Sequence, residues 1–182
     1  MHLNSLLYIN QVGSMKLGLD NCSDLLEKLR YEKSKLDKEW NAYDFFNFTV
    51  TAWHLQNDWL KNDKEGRPNH AMRKVNQAPE QMKEVVNIAR DIANGSKHFK
   101  LDKRNMEKKV IEELHEPEIR DWHSYFFGAK HGISTKTAYY STLDFVSLIH
   151  NYLEWVLSDN LSESEFPEEI EKHLKFCKLE NV

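Results

Sequence analysis

Residues 41–60, NAYDFFNFTVTAWHLQNDWL, decide the fold class. Phe45, Phe48, Ala52, Leu55 and Trp59 recur at the three-four spacing of one helical face, and Tyr43, Phe46, Val50, Trp53 and Leu60 form a second apolar row beside it. A helix over about 42–61 with so wide an apolar surface belongs at the centre of a structure, not on its rim.

Upstream, Leu25, Leu29, Leu36 and Trp40 follow helical spacing over about 23–40, with Asp24 and Glu27 as a capping box at the start. Downstream, KNDKEGRPNHAMRKVNQAP (61–79) has Gly66, Pro68 and Pro79 and little periodic apolar content, which predicts a long mobile loop. Pro79 and Glu80 open a third helix that runs through Val85, Ile88, Ala89 and Ile92 to about Phe99, with Asn94–Gly95 as the point where it would end early or kink. In 100–140, KKVIEELHE reads as a short helix and WHSYFFGAKHGISTKTAYY as a hairpin. Ser141 and Asp144 cap a fourth helix to about 158, whose apolar face is Phe145, Leu148, Ile149, Tyr152, Trp155 and Val156. Pro167, Ile170, Leu174 and Cys177 mark a short closing helix. The architecture expected is all-α, of the four-helix bundle type, with a long loop after the second helix and a small hairpin or irregular insertion before the fourth. Residues 1–22 form an N-terminal extension, in which Met15 is an alternative start, and 23–182 a single helical domain.

The bulk composition narrows the functional classes. With 182 residues, 40% of them hydrophobic and 12% aromatic, the chain can bury one ordinary core and is not a disordered segment. No window is apolar enough for a membrane helix and the first residues lack a secretory leader, so a cytoplasmic protein without membrane association is expected. Cys22 and Cys177 have no metal-ligand spacing and read as reduced packing residues. The net charge of −4 is unevenly spread: 61–109 hold 13 Lys/Arg against 7 Asp/Glu, and 110–182 hold 6 against 14. A basic middle of this kind attracts phosphate or is neutralised by the acidic tail.

Two polar rows carry the functional candidates. In the second helix Asp44, Asn47, Thr51, His54 and Asp58 share one face, and in the third Glu84, Asn87, Asp91, Asn94 and His98 do. Either each row is a solvated helix face, or the two rows meet across a polar cleft. Short directional side chains, in place of the Lys and Glu of an ordinary wet face, favour specific hydrogen bonding.

The segment carrying Ala52, His54, Asp58 and Trp59, followed by Asp91, Ala93, Asn94, Gly95, Lys97 and His98, resembles a family of short bacterial proteins with alanine-histidine-aspartate-tryptophan and aspartate-x-alanine-asparagine-glycine-x-lysine-histidine blocks, a likeness that covers about residues 24–101. That family has no assigned activity. More distantly the chain is similar to the HEPN superfamily, helical bundles that often dimerise and include metal-independent endoribonucleases of toxin and phage-defence systems. The superfamily's hallmark, an arginine often followed by a polar residue a few positions before a histidine, falls on Arg90, Asp91 and His98, here more widely spaced.

The resemblance implies a homodimer, and a stress or defence role as a module that binds a ligand, RNA or a protein partner without any cofactor. Arg90, Asp91, Asn94 and His98 are the candidate catalytic group, with His54, Asp58 and Lys97 as binding residues and no assigned metal. In the ribonuclease alternative His98 serves as general base or acid while a ribose 2′-hydroxyl attacks phosphate, Arg90 or Lys97 stabilises the charge, and Asn94 orients the substrate. A second alternative is a metal-dependent hydrolase with His54, Asp58, Asp91 and His98 as ligands. Trp53, Trp122 and Trp155 are candidates for a dimer face.

Overall fold

The computed structural model describes residues 18–97, 108–117, 131–159 and 165–179. In chain order the elements are α1 (Cys22–Leu36), α2 (Ala42–His54), α3 (Ala71–Gln77), α4 (Glu80–Lys97), β1 (Glu113–His115), β2 (Gly132–Ser134), β3 (Tyr139–Ser141), α5 (Thr142–Leu157) and α6 (Glu168–Cys177). Helix α2 does not stop at His54; it widens into one π turn, Leu55–Trp59, and closes with Leu60–Asn62. The chain is mostly helical, as expected, but it is not all-α: β1, β2 and β3 form an antiparallel sheet in that order, pairing Leu114 with Ile133 and Ile133 with Tyr140.

Sequence and structure part at identifiable places. The capping box of α1 is formed by Asn21 and Asp24: the Asn21 side chain accepts from the Asp24 amide at 3.0 Å and the Asp24 carboxylate accepts from the Asn21 amide at 3.2 Å. Asp24 is therefore the third helical residue and not the cap, and Glu27 takes no part. Helix α4 passes through Asn94–Gly95 without ending there. The short helix expected at KKVIEELHE is replaced by β1, whose side chains are largely exposed and depend on β2 for their hydrogen bonds. The β2–β3 hairpin does form, with the Tyr139 ring laid over Gly132: a Cβ at that position would lie 2.1 Å from the Tyr139 hydroxyl and would displace the ring. The first part of the expected hairpin, including Trp122, lies outside the described residues.

The centre of the molecule is α5 rather than α2. Helix α5 packs against α1, α2, α3, α4, α6 and β3, whereas α2 packs against α1, α4 and α5. Phe145, Leu148, Ile149, Tyr152, Trp155 and Val156 are all buried, as the periodicity predicts. Each such side chain contributes about 1.5–3 kcal/mol by leaving water. On α2 the first apolar row is mostly enclosed, but Tyr43 of the second row is 84% exposed.

A buried helix must have its end groups satisfied inside the molecule. At the start of α5 the Ser141 hydroxyl accepts from the Asp144 amide at 3.1 Å, and the Asp144 carboxylate accepts in turn from the Ser141 amide at 3.3 Å. At its end the expected loop supplies α3, and Lys74 of α3 is fully buried. Its ammonium donates to the Trp155 carbonyl at 2.6 Å and the Ser158 hydroxyl at 2.8 Å, and it lies 5.4 Å from the centre of the Trp155 ring. His70 approaches the Ser158 carbonyl with Nε2 at 2.7 Å. A cation at the carbonyl end of a helix also meets the negative end of its dipole. The segment read as a mobile loop is thus fastened by a buried charge.

Lys74→Ala would take the charged donor from the Trp155 carbonyl, leaving it the Ser158 amide and hydroxyl alone, and would open a cavity; it should lower the unfolding free energy by about 2–4 kcal/mol in urea titration. The exposed Lys172→Ala, which breaks only a surface pair with Glu168, should change it by less than about 1 kcal/mol.

Candidate functional site

The two polar rows lie on neighbouring helices, since α2 and α4 pack together, yet their side chains turn to different partners. Asp44 pairs with Lys35 and accepts from the Asn41 amide group at 2.6 Å, and Lys28 reaches the Thr51 hydroxyl. The first half of the α2 row therefore faces α1. Asn47 is exposed. At the π turn, His54 Nδ1 and Asp58 Oδ2 meet at 2.9 Å, with side chains 54% and 49% exposed. Asn57 donates to the other Asp58 oxygen at 2.9 Å. The widened turn keeps His54 and Asp58 together on an open surface, and π turns of this kind recur at functional sites.

The first part of the α4 row, Glu84 to Asp91, faces the hairpin turn and the segment before β1. Glu84 accepts from the hydroxyl of Thr135 at 2.6 Å and from that of Thr137 at 2.9 Å, binding the β2–β3 turn to the helix. One oxygen of Asp91 accepts from the Val110 amide at 2.6 Å and the Ile111 amide at 3.3 Å. Its other oxygen accepts from two guanidinium nitrogens of Arg90, at 2.8 and 3.0 Å. Arg90 also donates to Asn87 Oδ1 at 2.9 Å and to the Lys108 carbonyl. Asp91 is only 7% exposed and Arg90 20%. Together they stitch the segment 108–111 onto α4, using all three guanidinium nitrogens.

Of the sequence candidates, Arg90 and Asp91 are thus brought together, as are His54 and Asp58. Among the described residues no hydrogen bond or ion pair joins one set to the other. Asn94 is half-buried on α4. Lys97 closes the helix, its side chain lying outside what is described, and His98 lies outside the described residues altogether. No ion pair among the described residues links the basic middle to the acidic tail. Two of the three tryptophans considered for a dimer face pack with the core: Trp155 is 4% exposed and the partly buried Trp53 packs against the same cluster.

Beside the Arg90–Asp91 pair runs an open cleft of about 420 Å³, lined by Gln81, Lys83, Glu84, Asn87, Thr137 and Lys178 among others. Its charges balance in number: Lys83 pairs with Glu80 at 2.6 Å, and Glu84 and Lys178 are the other two charged residues that line it. Thr137 and Lys178 reach the cleft because the chain after α6 bridges to the hairpin, the Leu179 amide donating to the Thr137 carbonyl at 3.0 Å. Glu84 and Asn87 were legible as one helix face; Thr137 and Lys178 arrive by a contact between distant parts of the chain that no local pattern announces.

No protein-family model, curated protein or solved structure matches the chain. Among the described residues no helix is long and apolar enough to cross a membrane.

The separation of the two rows is measurable. Asp91→Ala should cost about 1–3 kcal/mol, because two backbone amides lose their acceptor, and His54→Ala about 0–1 kcal/mol. The double variant should be additive within about 0.5 kcal/mol by chemical denaturation; a larger coupling would place both residues in one shared network.

Proposed function

We propose that the chain is a HEPN-like helical binding module, cytoplasmic and without catalytic use of Arg90, whose ligand or partner segment seats along the polar edge of α4 beside the hairpin. The observation that carries this reading is the state of Arg90. A phosphorane-stabilising arginine must present a fork of free donors, whereas Arg90 spends four of its five N–H groups on Asn87, Asp91 and the Lys108 carbonyl and keeps one, on Nη1. Asp91 is likewise committed to backbone amides. What is left open to a visitor on this edge is the cleft, with amide, hydroxyl, carboxylate and ammonium groups in balanced number. Such a lining suits a polar, near-neutral ligand or peptide better than a polyanion.

In this reading the bacterial stress or defence setting and the homodimer stay part of the proposal. The dimer would use faces other than the buried tryptophans, and Tyr31, Tyr43 and Phe176, 65%, 84% and 81% exposed on α1, α2 and α6, are the most exposed aromatics among the described residues. The metal-independent endoribonuclease centred on His98 is the competing reading.

Incubating a mixed-sequence RNA with the purified chain in EDTA, beside the His98→Ala variant, separates the two. The binding-module reading expects intact RNA in both reactions. Cleavage by the wild type that vanishes in His98→Ala would overturn it and put His98 in an active site.

A further inference from the structure

Away from that cleft, α6 brings two side chains down onto the first turn of α5. His173 and Cys177 are four residues apart, so they share one face of α6, and that face meets Asp144. One carboxylate oxygen of Asp144, a ring nitrogen of His173 and the Cys177 sulfur all lie within 4.8 Å of one another. His173 Nε2 and Asp144 Oδ1 are 2.8 Å apart. From this juxtaposition we propose that Asp144, His173 and Cys177 form a zinc site with three protein ligands and one open coordination position.

The donor set suits that ion. A thiolate with an imidazole and a single carboxylate matches zinc, whereas magnesium and calcium call for oxygen ligands throughout. A tetrahedral zinc with nitrogen and oxygen at about 2.1 Å and sulfur at about 2.3 Å spaces its ligand atoms roughly 3.3–3.7 Å apart. The present spacing reaches that by opening the imidazole–carboxylate bond slightly and drawing the sulfur in. The surroundings also fit. The second oxygen of Asp144 is already fixed by the Ser141 amide and hydroxyl, the outer support that ligating carboxylates ordinarily have. Cys177 is 5% exposed and forms the floor. Asp144 and His173, at 29% and 27%, leave a mouth to solvent for entry and for a water in the fourth position.

Binding replaces the thiol proton, which leaves to solvent as the sulfur–metal bond forms. In the metal-free protein burial, and then the Asp144 carboxylate, push the Cys177 thiol up to about 12, so it rests as an inert thiol until a cation displaces its proton. Cys22, the other thiol, is likewise pushed up to about 12, first by burial and then by Asp63, but it belongs to no such cluster among the described residues. It serves as the internal control.

Cobalt(II) added to the reduced, chelator-treated full chain is the probe, read by its visible ligand-field bands and its thiolate-to-cobalt charge-transfer band, with zinc as competitor. The proposal expects one tetrahedral cobalt per chain, displaced by zinc, with the charge-transfer band abolished in Cys177→Ser and retained in Cys22→Ser. His173→Ala, which alters a partly exposed side chain and spares the core, should weaken cobalt binding about tenfold or more. Circular dichroism of each variant establishes that it is folded. Absence of a charge-transfer band at stoichiometric cobalt, or a band that survives Cys177→Ser or leaves affinity unchanged in His173→Ala, would overturn the site and reduce the cluster to a hydrogen-bonded pair beside a packed thiol.

Discussion

Burying α5 on nearly every side sets the terms for the rest of the molecule. An apolar helix gains stability by leaving water, but its first amides and last carbonyls leave water with it, and each one left unpartnered would cost about 1–3 kcal/mol. The structure meets this at one end with Ser141 and Asp144 and at the other with the buried ammonium of Lys74. Both fastenings recruit neighbouring elements. Lys74 brings α3 onto the end of α5, while Asp144 takes His173 and so docks α6 on the start.

The same use of polar side chains recurs elsewhere. Asp63 accepts from the Cys22 amide at 2.7 Å and the Gly66 amide at 2.7 Å, tying the start of α1 to the turn after α2. Burial works against ionisation there, yet these amides, the Cys22 thiol and Arg67 outweigh it and hold the Asp63 carboxyl below its ordinary pKa. Asp91 does for Val110 and Ile111 what Asp63 does for Cys22 and Gly66. Short polar residues at helical positions, which from the sequence alone suggest a catalytic face, here close the backbone accounts of segments far away in the chain. The proposed functional places, the cleft along α4 and the cluster at the α5–α6 junction, share groups with this service: Asp144 caps α5 with one oxygen and turns the other to His173.

How much of this was legible follows from range. The strong periodicities of 41–60 and 145–156 gave α2 and α5 to within a few residues, because many apolar side chains vote on one phase. Helix α3 escapes a reading by periodicity because AMRKVNQ has little apolar content and its two fully buried members are an alanine and a lysine, the lysine's partners at Trp155 and Ser158 standing more than eighty residues away. Strand β1 escapes it too, because three residues, two of them exposed, carry no pattern of their own. The α2 and α4 rows were real as faces, but periodicity cannot name what a face meets; Lys28 and Lys35 claimed one and the segment 108–111 the other. The pairing of His173 and Cys177 was open to inspection at four-residue spacing, while its third member on α5 required the tertiary fold.

The most direct test of the claim that buried polar side chains here serve distant backbone is amide hydrogen exchange at Val110 and Ile111, compared between the wild type and Asp91→Ala. The account predicts that these two amides lose about tenfold or more of their protection in the variant while the amides within α5 stay slow. Unchanged protection at Val110 and Ile111 would contradict it, since Asp91 would then not be what holds that segment in place.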